Sequence, residues 1–340
     1  LYIVHPNYHP RKLTRTSATA FALTKVPFVR GPFLDDNITG VTITPSSATG
    51  ATTLTPSSAI FNANHVGSYW KIRHDASNSA VVKITGFTST TVVTGTVQAE
   101  PDGTSGNIGG TSAYTTWAEG AFSGLDTAAT REKGFPGAVA FHEQRLYYAN
   151  SLEEPQKFWA SYIGAYDSFD NTLTTANYAF NFEVATEQRN EIKWLSSGNR
   201  VLNLGTTGGT FSASSGDTSA PISPTNIMVN RDTNYGCAAL LPKRISSFLY
   251  YIQRDFQKLR ELSFNFDIDS EISSDMTLLA EHILKDGTSI VDIAHQQSPN
   301  DRIWCVRNDG QLAVLTRNPE QEVMGWCRII AGEDASGDGE

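Results

Sequence analysis

The chain has 340 residues, a hydrophobic content of 39% and a formal net charge of −9. This length supports more than one hydrophobic core, and the abundance of Gly, Ser and Thr predicts a turn-rich β protein rather than a helical or disordered one. The acidic balance disfavours attraction of the whole surface to nucleic acid, and no apolar run approaches the roughly 18 residues that a membrane-spanning helix needs.

Residues 1–34 are predicted to form the first strands of a propeller as a partial blade, because LYIVH and RKLTRT are short strand-like runs. The second run contains Arg11, Lys12 and Arg15. These three cations are candidate contacts for a neighbouring subunit or for DNA phosphates. The simpler alternative is that they cover a solvated edge of the first blade.

Two histidines in this region have the spacing of a helical metal site. His5 and His9 are four residues apart, which places ligands together only on a helix. Pro6 and Pro10 argue against a helix here. We therefore predict no metal site.

Residues 35–116 differ in composition from the rest of the chain. They are rich in Ser, Thr, Gly, Val and Ile and contain several short strand-like runs, such as SYWKIRH and AVVKITGF. In the second run Val81 and Lys83 fall on one face of an extended strand, and Val82 and Ile84 fall on the other. This pattern predicts a small β-barrel or sandwich domain inserted into a loop, since long loop insertions cost little when their ends lie close together.

Residues 117–330 contain a repeated pattern of strand, turn and strand. Its clearest copy is the stretch Phe135–Ser161, and similar anchor strands begin at Arg145, Arg200, Ser247 and Arg302. A period of about 50 residues with a few strands in each unit is typical of β-propeller blades. We therefore predict an all-β fold with a partial or complete β-propeller; a large β-sandwich with coincidental spacing is the alternative.

One short helix is predicted near residues 275–286, with Ser274 or Asp275 as its cap and an apolar face formed by Leu278, Leu279, His282 and Ile283. Glu281 and His282 within this segment are a weak catalytic hint, and packing of His282 under the sheet is the simpler interpretation. The last residues, 331–340, are polar and acidic and predict a mobile tail.

The three cysteines, Cys237, Cys305 and Cys327, form no C-x-x-C pair, and the latter two are predicted to be small buried hydrophobic residues. Motifs for a nucleophile elbow, a zinc protease or a calcium-binding loop are lacking. We predict no catalytic residue, no cofactor and no metal.

Several long motifs resemble a known protein family. They include GFPGAVAFHEQRLYYANSLEEPQKFWAS, ATEQRNEIKWLSSGNRVLNLGTTGGTF, RIWCVRNDGQLAVLTRNPEQEVMGW and the opening VHPNYHPRKLTR. Together they resemble the nozzle protein, or tail tubular protein B, of short-tailed bacteriophages. The stretch VGSYWKIRHDASNSAVVKITGF is similar to a small β module of such proteins that is named after the ubiquitin-activating enzyme.

This resemblance implies a structural protein of the virion, assembled in the host cytoplasm and located in the phage tail. It implies a homo-hexameric ring below the portal and adaptor proteins, attached to tail fibres, through which double-stranded DNA passes during ejection. An acidic channel wall would suit this task because it repels phosphate.

Three functional hypotheses follow. The first is this conduit without catalysis. The second is a propeller binding module that attaches tail fibres or recognises a host-surface glycan through loop aromatics such as Tyr162, Tyr166, Phe169 and Tyr178. The third is a propeller enzyme, such as a glycosidase, which needs two carboxylates roughly 5–10 Å apart.

Acids near the organising hairpin are the candidates for such a pair, although the sequence gives no reason to place them together. They are Glu143, Glu153, Asp167 and Asp170.

Overall fold

The structure of the protein is a computed structural model, and it is nearly all β. The all-β prediction is therefore confirmed. The mobile tail predicted for residues 331–340 lies outside the described residues. In the described part of the chain, no helix is long and apolar enough to cross a membrane. The structure describes residues 1–75, 78–100, 103–124, 131–186, 189–217, 220–265, 267, 270–284, 288–318 and 321–330.

The chain divides into two compact units. Unit 1 comprises residues 1–187 together with 214–228, and unit 2 comprises residues 188–213 together with 229–340.

The first sheet of unit 1 is a three-stranded antiparallel meander. Its middle strand contains Pro10, although proline cannot donate a ladder hydrogen bond. The pairing with the first strand is irregular between Ile3 and His5, so Pro10 falls where the ladder is interrupted. The strands are β1 (Tyr2–His5), β2 (Tyr8–Arg15) and β3 (Phe21–Lys25).

A six-stranded sheet with its own core occupies most of the segment for which an inserted domain is predicted. Val82 and Ile84 pack in that core with Trp70, whereas Val81, on the opposite face, packs with Tyr69. The alternation predicted for this strand is therefore present. In spatial order the strands are β4 (Ile43–Pro45), β5 (Ala51–Pro56), β8 (Val92–Val97), β7 (Ser79–Ser89), β6 (Tyr69–Arg73) and β9 (Trp117–Ala118), with a 3-10 helix at Ala63–His65.

The predicted organising hairpin forms the start of a four-stranded antiparallel sheet in unit 1. His142 pairs with Arg145, and the two residues between them, Glu143 and Gln144, have φ angles of 43° and 62°. Positive φ at both central positions is the geometry of a tight hairpin turn that matches strand twist. The strands of this sheet are β12 (Ala138–His142), β13 (Arg145–Ala149), β14 (Lys157–Ala160) and β15 (Phe180–Glu183), preceded by the pair β10 (Ser123–Gly124) and β11 (Arg131–Gly134).

Unit 2 is built on three four-stranded sheets, each with its strands in sequence order. The late hairpin predicted at Asp309-Gly310 is present between the second and third strands of the last sheet. The strands are β16 (Ile192–Ser197), β17 (Val201–Thr206), β18 (Thr210–Ser215) and β19 (Ile227–Thr233); β20 (Lys243–Ile245), β21 (Phe248–Ile252), β22 (Leu259–Asn265) and β23 (Ser270–Asp275); and β24 (Ile290–Gln296), β25 (Arg302–Arg307), β26 (Leu312–Asn318) and β27 (Val323–Ile329).

Of the helix predicted near 275–286, the described residues form α1 at Glu281–Leu284, and residues 276–280 before it are not helical. Asp275 ends a strand instead and accepts hydrogen bonds from Thr277. His282 is exposed, so the predicted packing under the sheet is wrong; Ile283 and Leu284 are the buried side chains of this turn.

Candidate functional site

An open cleft of about 590 Å³ lies in unit 1. We call it the tyrosine cleft, because Tyr2, Tyr162 and Tyr166 line it together with Lys12 and Asp167. The first two strands of the chain contribute Tyr2 and Lys12, and a loop more than a hundred residues later contributes the others. The fold therefore assembles this site from distant parts of the sequence.

The loop at 162–168 is held in place by its backbone. A bridge joins Tyr162 to Ala165, with Gly164 between them at a φ of 72°. Glycine adopts this left-handed conformation at little cost. Val29 forms a parallel bridge with Ser168, and its N–H donates to the carbonyl of Asp167 at 2.8 Å. These bonds fix the position of the Asp167 side chain in the cleft.

Asp167 joins the two residues from the first sheet. Tyr2 donates its hydroxyl hydrogen to Oδ1 of Asp167 at 2.7 Å, and Lys12 donates from Nζ to Oδ2 at 2.8 Å. Hydrogen bonds to an ionised partner are stronger than neutral ones. One carboxylate thus orients a phenol and an ammonium group on the same wall of the cleft.

The pKa values of both donors are raised, so both groups keep their protons more firmly. Burial raises the pKa of Tyr2, and the hydrogen bond to Asp167 raises it further. The hydrogen bond to Asp167 is also the main reason that the pKa of Lys12 is raised. At neutral pH Tyr2 is a neutral phenol and Lys12 a cation, so this wall offers hydrogen-bond donors rather than a base.

Ring contacts hold the tyrosine side chains that line the cleft. The ring of Phe141, half exposed, contacts Tyr2 at 5.6 Å and Tyr166 at 5.0 Å between centroids, both edge to face. Tyr162 contacts Tyr178 in the same manner at 5.3 Å. Such contacts limit the orientations of the rings and present apolar faces beside the polar wall.

The three cations predicted as contacts do not form one patch. Lys12 points to the opposite face of β2 from Arg11 and Arg15, as the alternation along a strand requires. Arg15 donates to the carbonyls of Ser17 and Ala18 in the following turn. Contact of these residues with a subunit or with DNA stays a prediction that the structure does not test.

The loop aromatics named for glycan recognition are only partly available. Tyr166 is partly exposed, but Phe169 is buried in the core of unit 1 and contacts Tyr148 and Phe28. An exposed cluster of all four aromatics is therefore absent from this described region.

The four acids near the organising hairpin each have a different partner. Asp170 pairs with Arg30 at 2.8 Å, Glu153 with Lys133 at 2.7 Å, and Asp167 with Lys12. Glu143 accepts a hydrogen bond from the backbone of Ile222. Each of these acids is thus bonded to a cation or a backbone N–H group rather than to another of the four.

Comparison with known proteins identifies no family for the chain. No family model matches it, and no curated protein matches it. Solved structures with partial similarity include a candidate 6-phosphogluconolactonase from Bacteroides uniformis, with 11% identity, a TM-score of 0.39 and coverage of 87% of this chain and 97% of that one.

Two further solved structures have similarly low scores. The dihydro-heme d1 dehydrogenase NirN shows 11% identity and a TM-score of 0.36, covering 85% of this chain and 53% of its own. A luciferin-regenerating enzyme shows 11% identity and a TM-score of 0.24, covering 57% of this chain and 76% of its own. At these scores the likenesses assign neither a reaction nor a substrate to this chain.

These findings do not bear out the functional predictions made from the sequence. The similar structures with named activities are enzymes, and none of them is a phage tail protein. The comparisons therefore do not support the prediction of a structural tail protein, with its alternative of a fibre-attaching or glycan-recognising module, or the prediction that the chain is not an enzyme. The predicted ring, portal, adaptor and DNA partners and the virion location are not tested.

Proposed function

We propose that the chain is a β-propeller-type enzyme and that the tyrosine cleft of unit 1 is its site for a small, uncharged, ring-bearing substrate. The observation that carries the proposal is the convergence of Tyr2, Lys12 and Asp167 on one wall of the cleft.

The propeller part of the proposal is supported by the sheets. Four four-stranded antiparallel sheets with strands in sequence order begin at residues 138, 192, 243 and 290. Sheets of four consecutive strands, repeated about every 50 residues, are the units from which propellers are built.

The ligand class follows from the composition of the cleft. Tyr166, which lines the cleft, offers a partly exposed ring face on which a flat or ring-shaped ligand can stack. Lys12 and Asp167 cancel each other's charge, so the cleft has no excess charge to attract an ion of either sign. An uncharged ligand with a donor and an acceptor matches this wall, since Asp167 can accept and Lys12 can donate.

The proposal that the chain is an enzyme depends on the same three residues, Tyr2, Lys12 and Asp167. Ionisable groups with shifted pKa values that line a cleft are typical of functional sites, and both Tyr2 and Lys12 have raised pKa values. Donors that keep their protons stabilise negative charge as it develops on a substrate oxygen. In this arrangement Lys12 supplies such a donor and Asp167 orients it, while the one hydroxyl hydrogen of Tyr2 is donated to Asp167.

A binding experiment tests the proposal. Saturation-transfer NMR with adenosine, indole and 4-hydroxyacetophenone as probes should show transfer to the ring protons of at least one of them in the wild-type protein. Tyr166→Ala removes a stacking face and should lower the affinity for the probe by about tenfold, in line with the energies of aromatic stacking. Asp167→Asn should lower the affinity for the probe to a similar extent, because Lys12 then loses its orienting partner.

The matched control is Phe87→Ala. Phe87 lies on β7 in the six-stranded sheet and is as exposed as Tyr166, at 37%, but it does not line the cleft. It should leave binding unchanged. Equal binding by the wild type and the Tyr166→Ala variant would contradict the proposed site.

A further inference from the structure

A second polar cleft lies entirely in unit 2. Two adjoining hollows, of about 270 Å³ and 330 Å³, share Asp301, Arg317 and Asn318 in their walls. We call them together the Arg317 cleft. The residue before β25, the end of β26 and the turn between β20 and β21 bring these groups to one place.

Arg317 is held rigidly by a buried carboxylate. Its Nε lies 3.0 Å from Oε2 of Glu261 and its Nη2 lies 3.2 Å from Oε1, and Tyr250 donates its hydroxyl hydrogen to the same Oε2 at 2.6 Å. Glu261 is only 5% exposed. This bidentate bond raises the pKa of Arg317, so the guanidinium is charged at every physiological pH.

The remaining nitrogen of Arg317 is available to a ligand. Nη1 makes no hydrogen bond to any residue that the structure describes, while Nε and Nη2 are both used. Because Glu261 already fixes the plane of the guanidinium, an anionic group that binds at Nη1 loses little side-chain entropy. Arg317 is therefore a preorganised site for a carboxylate.

Asp301 supplies the opposite charge. Its side chain is half exposed, at 51%, and its Oδ1 lies 3.1 Å from Nε2 of His295. Asp301 and Arg317 line the same hollow but form no ion pair within 4.0 Å of each other in this part of the described chain. The cleft thus presents a separated positive and negative group.

The remaining walls fit a small apolar side chain. Ile245, Phe248 and Ile303 line the first hollow, together with the hydroxyl groups of Ser246 and Ser247. An anionic ligand without a positive group would be repelled by Asp301, and a cationic ligand without a negative group would be repelled by Arg317. A molecule with both charges close together and an apolar tail satisfies all of these groups.

We propose that the Arg317 cleft binds a free α-amino acid with an apolar side chain. The carboxylate of the ligand binds Nη1 of Arg317, its ammonium group binds Asp301, and its side chain lies against Ile245, Phe248 and Ile303. This site is independent of the tyrosine cleft, because no residue lines both.

The test is isothermal titration calorimetry of the full chain with each of the twenty standard L-amino acids. At least one apolar amino acid should bind with a Kd of about 1 mM or tighter. Its amide and its deamino acid, which lack the negative and the positive charge respectively, should each bind at least about tenfold more weakly, since each leaves one charged group of the cleft unpaired.

Two variants and a control make the outcome specific. Asp301→Asn should reduce the preference for the amino acid over its deamino analogue by about tenfold while the protein stays folded, because this side chain is half exposed. Arg317→Lys should weaken binding of the amino acid but not of its amide, since a lysine ammonium that pairs with Glu261 offers no second fixed nitrogen in place of Nη1. Asp292→Asn changes an exposed carboxylate of the same sheet that does not line the cleft, and it should bind as the wild type does.

Absence of binding by all twenty amino acids to a folded wild-type protein would overturn the proposal. So would equal affinity for an amino acid and its deamino analogue, because Asp301 would then have no part in recognition.

Discussion

Ser212 donates a hydrogen bond of 2.7 Å to Oδ1 of Asp232, whereas Oδ2 of the same carboxyl group is buried and has no hydrogen-bond partner among the described residues. Burial raises the pKa of Asp232 to about 7, and the nearby charge of Glu271 adds to the rise, while the bond from Ser212 opposes it. Burial raises the pKa of Glu271 as well. Unit 2 thus contains a carboxyl group that is half protonated near neutral pH.

The first prediction concerns stability and pH. A carboxyl group whose pKa is higher in the folded than in the unfolded chain binds its proton more tightly when folded. Its stabilising contribution is complete below a pH of about 4, the unfolded pKa, and is lost as the pH rises through about 7. The free energy of unfolding should therefore fall between pH 5 and pH 7 by at most roughly 3 kcal/mol and level off between pH 7 and pH 8.

Asp232→Asn should remove most of this pH dependence and should stabilise the protein at pH 8 relative to the wild type. Urea unfolding at pH 5, 6, 7 and 8 measures the effect. Asp255→Asn, at an exposed turn position, is the control and should leave the wild-type slope unchanged. A wild-type stability that rises from pH 5 to pH 8 would show that Asp232 is ionised in the folded state.

The second prediction concerns the buried ion pair of unit 1. Arg30 and Asp170 have side chains that are 2% and 0% exposed, and Nε lies 2.8 Å from Oδ2. Arg30→Met leaves Asp170 buried without this cation, and breaking one partner of a buried pair typically costs about 3–5 kcal/mol. Thermal unfolding followed by circular dichroism should show a marked loss of stability. The double variant Arg30→Met/Asp170→Asn should recover part of it, and a double variant no better than the single one would contradict the pairing.

The third prediction concerns a glycine that makes room for a tryptophan. Gly205 on β17 is paired with Trp194 on β16, and a Cβ added at Gly205 would lie 2.0 Å from Cε2 of the buried indole. Gly205→Ala should therefore destabilise unit 2 by about 1–3 kcal/mol, the usual cost of overpacking. Gly40→Ala is the matched control, because an added Cβ there meets nothing within 4 Å. Equal stability of the two variants, measured by urea unfolding, would show that the indole can move aside.

The local structure was largely predictable because it depends on short-range chemistry. The hairpin at Ala138–Ala149 and the turn at Asp309-Gly310 are marked by strand-forming runs on both sides of a polar turn. The segment after Asp275 was mispredicted. Leu278 and Leu279 have helical spacing but are exposed, and Asp275 bonds to Thr277 in a turn, so the local hydrogen bonds outweigh the apolar pattern.

The candidate sites were much harder to predict. Lys12 was singled out for its charge, yet its partner Asp167 lies 155 residues away, and no sequence pattern links the two. The same holds for Arg317 and Glu261, which are 56 residues apart and meet only when two neighbouring sheets of unit 2 are formed. The aromatic run YIGAYDSFD marked the loop of the tyrosine cleft, but its role required the position of Tyr2.

The last prediction concerns the thiol groups. Cys237 and Cys305 are buried, and burial raises the pKa of Cys305 to about 12 and raises that of Cys237 as well. Cys327 is exposed, contrary to its predicted burial, because it lies on β27 at the edge of its sheet. Since the thiolate is the reactive form, Ellman's reagent at pH 8 should modify one thiol of the native protein rapidly and all three only in denaturant. Cys327→Ser should abolish the rapid phase, whereas Cys305→Ser should preserve it. Rapid reaction of two or more thiols in the folded protein would show that the sheets of unit 2 open readily to solvent.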